Sequence, residues 1–394
     1  MDKNTKNTIK VAFIVVDDRF GAPEETPRFG SAPSAVLSGF EQLGSSVEVH
    51  VICCTMGALP SPSKLAPNIW FHSCALKKSG FLRSLHYGCV KAVGELLREI
   101  QPDIVHAQGT ERWCALSGLQ FSGPKVLTVH GNLGELNKRF TMRPRVYWGI
   151  QTLMHHFTVP RYDVVACVSN NVVNCLGKKT KRACLIPNAV RQSFFDTPQT
   201  GTRRQDRIVF LNIGVFAPWK RQFEILLLAK RVWTQDPRTV FRFIGGIGNS
   251  NYGQKCMTLI EEGERLGFVE FAGSKTSSEV IEEMDSAHAM IHCPTEETFG
   301  LVVAEALARD MKFFGSAVGG VNDITVNVPA CVLKDQNDWA GLETAIHVWL
   351  REDAPMPSGI REIIQSRYAP IVAARNHLAL YHDLLASKAD LSCH

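Results

Sequence analysis

The chain has 394 residues, 45% hydrophobic and 21% charged, with a formal net charge of +5. That is the composition of a soluble globular protein, and the length exceeds one ordinary core, so two domains are expected. No stretch reaches the roughly 20 apolar residues of a membrane span, and the polar opening MDKNTKNTIK followed by a short apolar run does not make a signal peptide.

Twelve cysteines are scattered without a Cys-x-x-Cys pair, and Cys53 and Cys54 are adjacent. Reduced core thiols fit this usage better than a disulfide framework or a zinc site, so the cytoplasm is the expected compartment. The charge is uneven: residues 1–195 hold 23 Lys and Arg against 13 Asp and Glu, leaving 20 against 25 for the rest. A basic front half attracts anionic partners, or is simply a solvated surface. No nucleic-acid-binding motif accompanies it, so nucleic acid is not an expected partner.

In chain order, the apolar runs KVAFIVV, VEVHVICC, DIVHA, KVLTVH and VVACVS alternate with helical patterns such as SAVLSGFEQLG and CVKAVGELLREIQ. This βα alternation predicts a parallel sheet. It restarts after a polar stretch with Gly and Pro, DTPQTGTRRQDR (196–207), with RIVFLNIG, TVFRFIG, VEFAG, AMIHC and KFFGSAV. Two doubly wound α/β domains are therefore expected, one over 1–195 and one over 196–364. The last periodic segment, about 360–385, reads as helices with Tyr368, Val372, Leu378, Tyr381 and Leu384 as anchors.

The first turn, DDRFGAPEETPRFGSAP, is long and rich in Gly and Pro, typical of a functional loop. Gly30 and Ser31 open the helix after it, where backbone can approach a phosphate or an acceptor. Asp17 and Asp18 are adjacent, so their side chains diverge on an extended strand, and no Asp-x-Asp pair occurs. No metal site is expected. KVLTVHGN places His130 and Gly131 at a strand's carboxyl end, where ligands bind in such sheets, although a lone histidine there is also compatible with a structural role. His106, in DIVHAQG, is read as structural.

RIVFLNIGVFAPWKRQFEILLLAKRV orders a strand, a short loop and a helix, with Lys220 and Arg221 at the junction. Two cations there suit a diphosphate, or form a basic helix start facing solvent. The run GLVVAEALA (300–308) is apolar almost all round, so its helix should be buried, and Glu305 is the one charge in it. A buried carboxylate needs partners. Ribose hydroxyls would serve, with the N–H groups of Gly300, Leu301 and Val302 receiving a phosphate. Alternatively Glu305 pairs with Arg309 at i, i+4.

PTEETFGLVVAEALARDMKFFGSAVGG resembles the signature of retaining glycosyltransferases of family four: Glu, seven residues, Glu, then a Gly-Gly loop. The matching residues are Glu297, Phe299, Gly300, Glu305, Ala306, Gly319 and Gly320. The resemblance implies the GT-B architecture, two Rossmann-like domains with the active site in the cleft between them, and a terminal helix (365–394) that crosses back to the first domain. It implies donor contacts from Gly214, Lys220, Arg221, Gly273, Glu297, Thr298, Phe299, Gly300, Leu301, Val302 and Glu305, and places His130 beside the sugar or acceptor. IPNAV, with Asn188, resembles the loop before the interdomain linker. Departures from the family pattern are Val215 for an arginine, Ser31 for a glycine, Gln108 for a histidine, Asp310 for a glycine and Lys312 for a proline.

The activity so implied is a metal-independent, retaining transfer of a sugar from a nucleoside diphosphate sugar to an acceptor hydroxyl. His130, Lys220 and Glu297 carry the chemistry, and no cofactor is needed beyond the co-substrate. A glycan or lipid-linked acceptor is expected. The segment from His130 to Phe157, with Lys138, Arg139, Arg143 and Arg145 ahead of Tyr147, Trp148, Leu153 and Phe157, suits either a peripheral contact with an anionic membrane or a core helix with a basic entry loop. Two rivals share these residues. One is a nucleotide-sugar epimerase on the same fold, the other a non-catalytic glycan- or nucleotide-binding partner.

Overall fold

The computed structural model describes residues 8–16, 29–77, 85–110, 112–131, 142–199, 203–204, 206–333 and 335–392. The chain divides into two compact units, Met1–Ala189 with Ala369–His394, and Val190–Tyr368. The crossings thus follow Ala189 and Tyr368, where the sequence reading set them at 195 and 364.

The first unit is built on strands β1 (Ile9–Ile14), β2 (Val47–Thr55), β3 (Ser63–Ala66), β4 (Ile69–Ala75), β5 (Ile104–Gln108), β6 (Lys125–Val129), β7 (Val164–Cys167) and β8 (Ala183–Leu185). Their order is β3-β4-β2-β1-β5-β6-β7-β8, parallel except for β3, which pairs antiparallel with β4 at the edge. Helices α1 (Ser31–Gln42), α2 (Tyr87–Ile100), α3 (Cys114–Gly118), α4 (Met142–Thr158) and α5 (Asn170–Leu176) connect them. β-Branched and aromatic runs fill the central strands because helices cover such a sheet on both faces; Val11, Phe13, Val49, Val51, Ile104, Val126 and Val164 are all fully buried.

The second unit has β9 (Ile208–Ile213), β10 (Thr239–Ile244), β11 (Val269–Phe271), β12 (Ala289–His292), β13 (Lys312–Ser316) and β14 (Cys331–Leu333), all parallel. Helices α6 (Ser193–Asp196), α7 (Gln222–Gln235), α8 (Asn251–Leu266), α9 (Ser277–Ser286), α10 (Leu301–Leu307), α11 (Val321–Thr325), α12 (Trp339–Arg351) and α13 (Ile360–Tyr368) complete it. The order β11-β10-β9-β12-β13-β14 is the Rossmann order 3-2-1-4-5-6. A separate aromatic core holds it, with Phe210 stacked on Phe241 at 4.6 Å and Trp349 edge-on to Phe210 and Phe314.

The last helix, α14 (Pro370–Ser392), belongs to the first unit. Ala374, His377, Tyr381 and Leu384 are buried at helical spacing. Gly39 of α1 lets the two helices touch, since a Cβ there would lie 2.1 Å from the Pro370 carbonyl oxygen. Of the expected anchors, Tyr381 and Leu384 reach this core and Val372 and Leu378 are half-buried, while Tyr368 closes α13 of the other unit. Among the described residues no helix is long and apolar enough to cross a membrane.

Candidate active site

In the second unit the sheet reverses its winding between β9 and β12, and the carboxyl ends of strands at such a switch point are where open sheets of this kind bind ligands. Backbone pairing of the two strands stops at Leu211 and Met290; beyond it the Asn212 side-chain amide donates to the Ile291 carbonyl at 2.8 Å. Gly214 (φ 151°), Gly245 (φ 141°) and Gly273 (φ 64°) follow the ends of β9, β10 and β11. They lie against each other: the Gly214 N–H donates to Ile244 and the Gly245 N–H to Gly273, both at 2.8 Å. A Cβ on Gly245 would sit 2.1 Å from the Gly214 oxygen, whereas one on Gly214 would meet nothing within 4 Å. The space over Gly214 is open.

The loops after β9 and β12 are stitched together by the Thr295 N–H, which donates to the Trp219 carbonyl at 2.8 Å. That contact brings Lys220 to Glu297, Nζ to Oε2 at 2.6 Å, and the same carboxylate oxygen accepts the Nε2–H of His292 at 3.1 Å. Burial alone would raise the Glu297 pKa. The His292 hydrogen bond and the Lys220 charge outweigh it and hold the carboxyl down at about 2. His292 is fully buried, and burial lowers its pKa against the pull of Glu297, so the imidazole is neutral and the carboxylate ionised.

Gly319 and Gly320 press against this loop. A Cβ on Gly319 (φ 51°) would lie 1.6 Å from the Glu297 carbonyl oxygen, and one on Gly320 2.5 Å from Cα of Phe299. Only glycines fit there. Thr298 is partly exposed, and the Phe299 ring is buried against Tyr368 at 5.5 Å. Gly300 (φ 97°) caps α10, whose first intrahelical donors are Val303 and Ala304 to the Gly300 carbonyl. The Leu301 and Val302 amides precede those bonds, as at any helix start.

Glu305 is 7% exposed, and its partner is Arg191, Nη2 to Oε1 at 3.0 Å. The i, i+4 pairing with Arg309 does not form, because Arg309 is fully buried in a bidentate pair with Asp285, both bonds 2.7 Å, and also donates to the Phe194 and Thr197 carbonyls. Burial raises the Glu305 pKa, with Arg191 opposing. Arg191 also bonds the Ser277 hydroxyl and lies over the Phe194 ring. Arg221, in the left-handed conformation, donates to the Gln336 carbonyl at 2.6 Å and to the Asn337 side chain, beside the Trp339 ring. Val215, at the position of the family arginine, is 67% exposed.

Two departures have a structural counterpart. Asp310 (φ 51°) is left-handed, and its carboxylate accepts the Ile360 and Arg361 N–H groups at 3.0 and 2.9 Å, capping α13. The Lys312 N–H donates to the His288 carbonyl at 3.2 Å, a bond that proline could not make.

In the first unit, Gly30 caps α1 and Ser31 is its exposed first residue. His130 follows β6, and its Nε2–H donates to the Gln108 amide oxygen at 2.9 Å. The Gln108 amide nitrogen in turn donates to Nε2 of His106 at 2.9 Å; that nitrogen also takes the Thr128 hydroxyl, and Nδ1 of His106 meets the Tyr381 hydroxyl at 2.6 Å. Burial, partly offset by an Asn188 hydrogen bond, lowers the His130 pKa to about 4, so it offers a neutral imidazole. Asp17, Asp18, Lys138 and Arg139 lie outside the described residues, as do the side chains of Arg143, Arg145 and Trp148. Among the described residues no three His, Cys, Asp or Glu are grouped to hold a metal ion.

Sequence reasoning missed Arg191 and His292, and marked Gln108 only as a departure from the family pattern, without its contact to His130. Arg191 directly follows IPNAV and His292 ends the strand AMIHC five residues before Glu297, but neither spacing shows which carboxylate each one meets.

Two family models match successive parts of the chain: Glycosyltransferase Family 4 over residues 37–194 and Glycosyl transferases group 1 over residues 194–367. Among curated relatives, the chain is 23% identical to N-acetyl-alpha-D-glucosaminyl L-malate synthase of Bacillus anthracis over 86% of its own length and 90% of the relative's. It is 24% identical to the Phosphatidylinositol N-acetylglucosaminyltransferase GPI3 subunit of Saccharomyces cerevisiae, over 75% of its own length and 66% of that subunit's. Among solved structures it is similar to sucrose-phosphate synthase from Thermosynechococcus elongatus, with 18% identity, 96% and 100% coverage and a TM-score of 0.75. The catalytic domain of Starch Synthase IV from Arabidopsis thaliana, bound to ADP and acarbose, superposes with 12% identity, 96% and 99% coverage and a TM-score of 0.70.

Proposed function

The chain belongs to the glycosyltransferases of family 4 and group 1, on the GT-B fold, and from this we propose that it is a retaining, metal-independent transferase. It moves a sugar from a nucleoside diphosphate sugar to an acceptor hydroxyl, in polysaccharide or glycolipid biosynthesis. The observation that carries this reading is the contact of Lys220 with an ionised Glu297 beside the open space over Gly214.

A diphosphate entering that space meets the Lys220 ammonium, which is paired with Glu297 and so already fixed in position. Negative charge grows on the leaving diphosphate as the sugar departs, and Lys220 with the Leu301 and Val302 amides binds that charge more tightly than the ground state. Glu297, kept ionised by His292 and Lys220, accepts hydrogen bonds from sugar hydroxyls. Glu305 accepts those of the ribose through the oxygen that Arg191 does not use. His130, held as the Nε2–H tautomer by Gln108, contacts the sugar or acceptor as a neutral group, and Gly30 and Ser31 line the acceptor or phosphate loop. No side chain acts as nucleophile when the acceptor attacks from the leaving-group face and a phosphate oxygen takes its proton.

We place the protein in the cytoplasm with a glycan or lipid-linked acceptor. The 69% exposed Leu153 and 47% exposed Phe157 of α4 would contact the inner face of a membrane. Flotation with anionic liposomes tests that contact, and no binding at low salt removes it. The activity is tested by calorimetry with UDP, ADP and GDP, then by transfer from the matching donor with and without EDTA, reading the product anomer by NMR. An inverted anomer, or loss of transfer in EDTA restored by a divalent cation, overturns the mechanism. Tight binding of none of the nucleotides overturns the donor site.

A further inference from the structure

Three thiols in the first unit have no part in the chemistry above. Cys54 of β2 and Cys74 of β4 are direct partners in the parallel register. Partner Cα atoms on neighbouring strands lie about 4.8 Å apart, within the range of ~4.4–6.8 Å that a disulfide spans. Cys89 lies in the first turn of α2, and Sγ of Cys54 sits 4.0 Å from its carbonyl oxygen. Cys54 is the shared neighbour of Cys74 and Cys89, so it occupies the middle of the group. All three are reduced, Cys54 and Cys89 buried and Cys74 partly exposed.

A fourth residue points to the same place. His86, which caps α2 in the left-handed conformation, is 4% exposed, and neither ring nitrogen makes a hydrogen bond of ordinary geometry. A buried imidazole without a partner is costly unless a charge stabilises it, and the group it acts on is the Cys89 sulfur. The Cys54 hydrogen bond, opposed by burial and assisted by His86, brings the Cys89 thiol down to about 6. The Cys54 hydrogen bond likewise lowers Cys74, against burial and the nearby Cys89 and Glu95 charges, while burial pushes Cys54 itself up.

We propose that Cys54 and Cys74 are a hydroperoxide-reactive dithiol, which closes to a disulfide joining β2 to β4. The partly exposed Cys74 thiolate attacks one peroxide oxygen; the S–O bond forms, the O–O bond breaks, and hydroxide leaves to be protonated. The Cys54 sulfur attacks the Cys74 sulfenic acid. The S–S bond forms as the S–O bond breaks, and the departing hydroxide takes the proton that Cys54 gives up and leaves as water. Two thiols lose two electrons and two protons, and hydrogen peroxide becomes two waters.

The test treats the full chain with hydrogen peroxide, alkylates it in denaturant and maps its peptides by mass spectrometry. The expected result is a Cys54–Cys74 linked peptide, two hydrogens lighter than the separate pair and restored by dithiothreitol. Cys54→Ser should leave a Cys74 sulfenic acid that dimedone captures. Full alkylation of both Cys54 and Cys74 under conditions that oxidise the exposed Cys175 overturns the proposal, as does finding Cys74 only as a sulfinic acid.

Discussion

At the scale of single residues, Lys220 and Glu297 differ in what their loss should do. Lys220→Ala should lower transfer about a hundredfold, the equivalent of roughly 3 kcal/mol of transition-state stabilisation. The fold should survive, because His292 still holds the Glu297 carboxylate. Steady-state kinetics alongside a thermal melt check this, and a parent-like rate would place the diphosphate elsewhere. Glu297 is instead a pH device. Its pKa falls from the ordinary 4.5 to about 2 on folding, so the stabilisation it brings is complete above pH 4.5 and is lost as pH falls towards 2. The stability advantage of the parent over Glu297→Gln, measured by urea unfolding, should therefore be constant from pH 7 to about 5 and shrink between 4.5 and 2.

At the scale of elements, the loops around α10 are held by conformations that particular residues supply. Gly319→Ala would drive a Cβ into the Glu297 carbonyl at 1.6 Å and force a left-handed alanine. We expect a loss of about 1–3 kcal/mol in stability together with weaker nucleotide binding, because the 297–300 loop must move. Calorimetry that finds parent affinity in this variant would separate the loop from the donor site. Asp310→Gly restores the residue usual in the family and relieves the left-handed backbone, yet removes the carboxylate that caps α13. The cap, worth about 1 kcal/mol, is the larger effect, because Asp is among the few residues that tolerate the left-handed backbone and glycine adds conformational freedom to the unfolded chain. Chemical denaturation should show the variant less stable than the parent.

For the whole molecule, the division at Ala189 and Tyr368 makes the second unit one continuous stretch of chain with its own aromatic core. A fragment of residues 190–368 should fold cooperatively and bind the nucleotide within about tenfold of the full chain, a difference of about 1.4 kcal/mol, while transferring nothing. The first unit is not continuous. Removing residues 369–394 takes Ala374, His377, Tyr381 and Leu384 out of its core and strips the His106 network of its Tyr381 hydroxyl, so that truncation should prevent the first unit from folding. Circular dichroism and calorimetry on the two truncations give the comparison.

The alternation of strand and helix patterns was legible because both periods are local, set by how side chains project from one strand or one helix. Glu297, Gly300, Glu305 and the Gly-Gly pair were legible for a similar reason: they lie within one stretch of 24 residues whose spacing is itself the signal. The partners of those residues were not. Arg191 reaches Glu305 across 114 positions and Lys220 reaches Glu297 across 77, distances in sequence that only the winding of β9 to β13 closes. The same holds for Arg221, which stands beside Lys220 in sequence but takes its contacts from the loop before α12 and from the Trp339 ring. Sequence alone determined the two sheets, the motif and the burial of α10, since hydrophobic pattern and spacing act over a few residues. Tertiary structure decided which charges meet, because the energy of an ion pair depends on separation and burial, and neither is encoded in the distance along the chain.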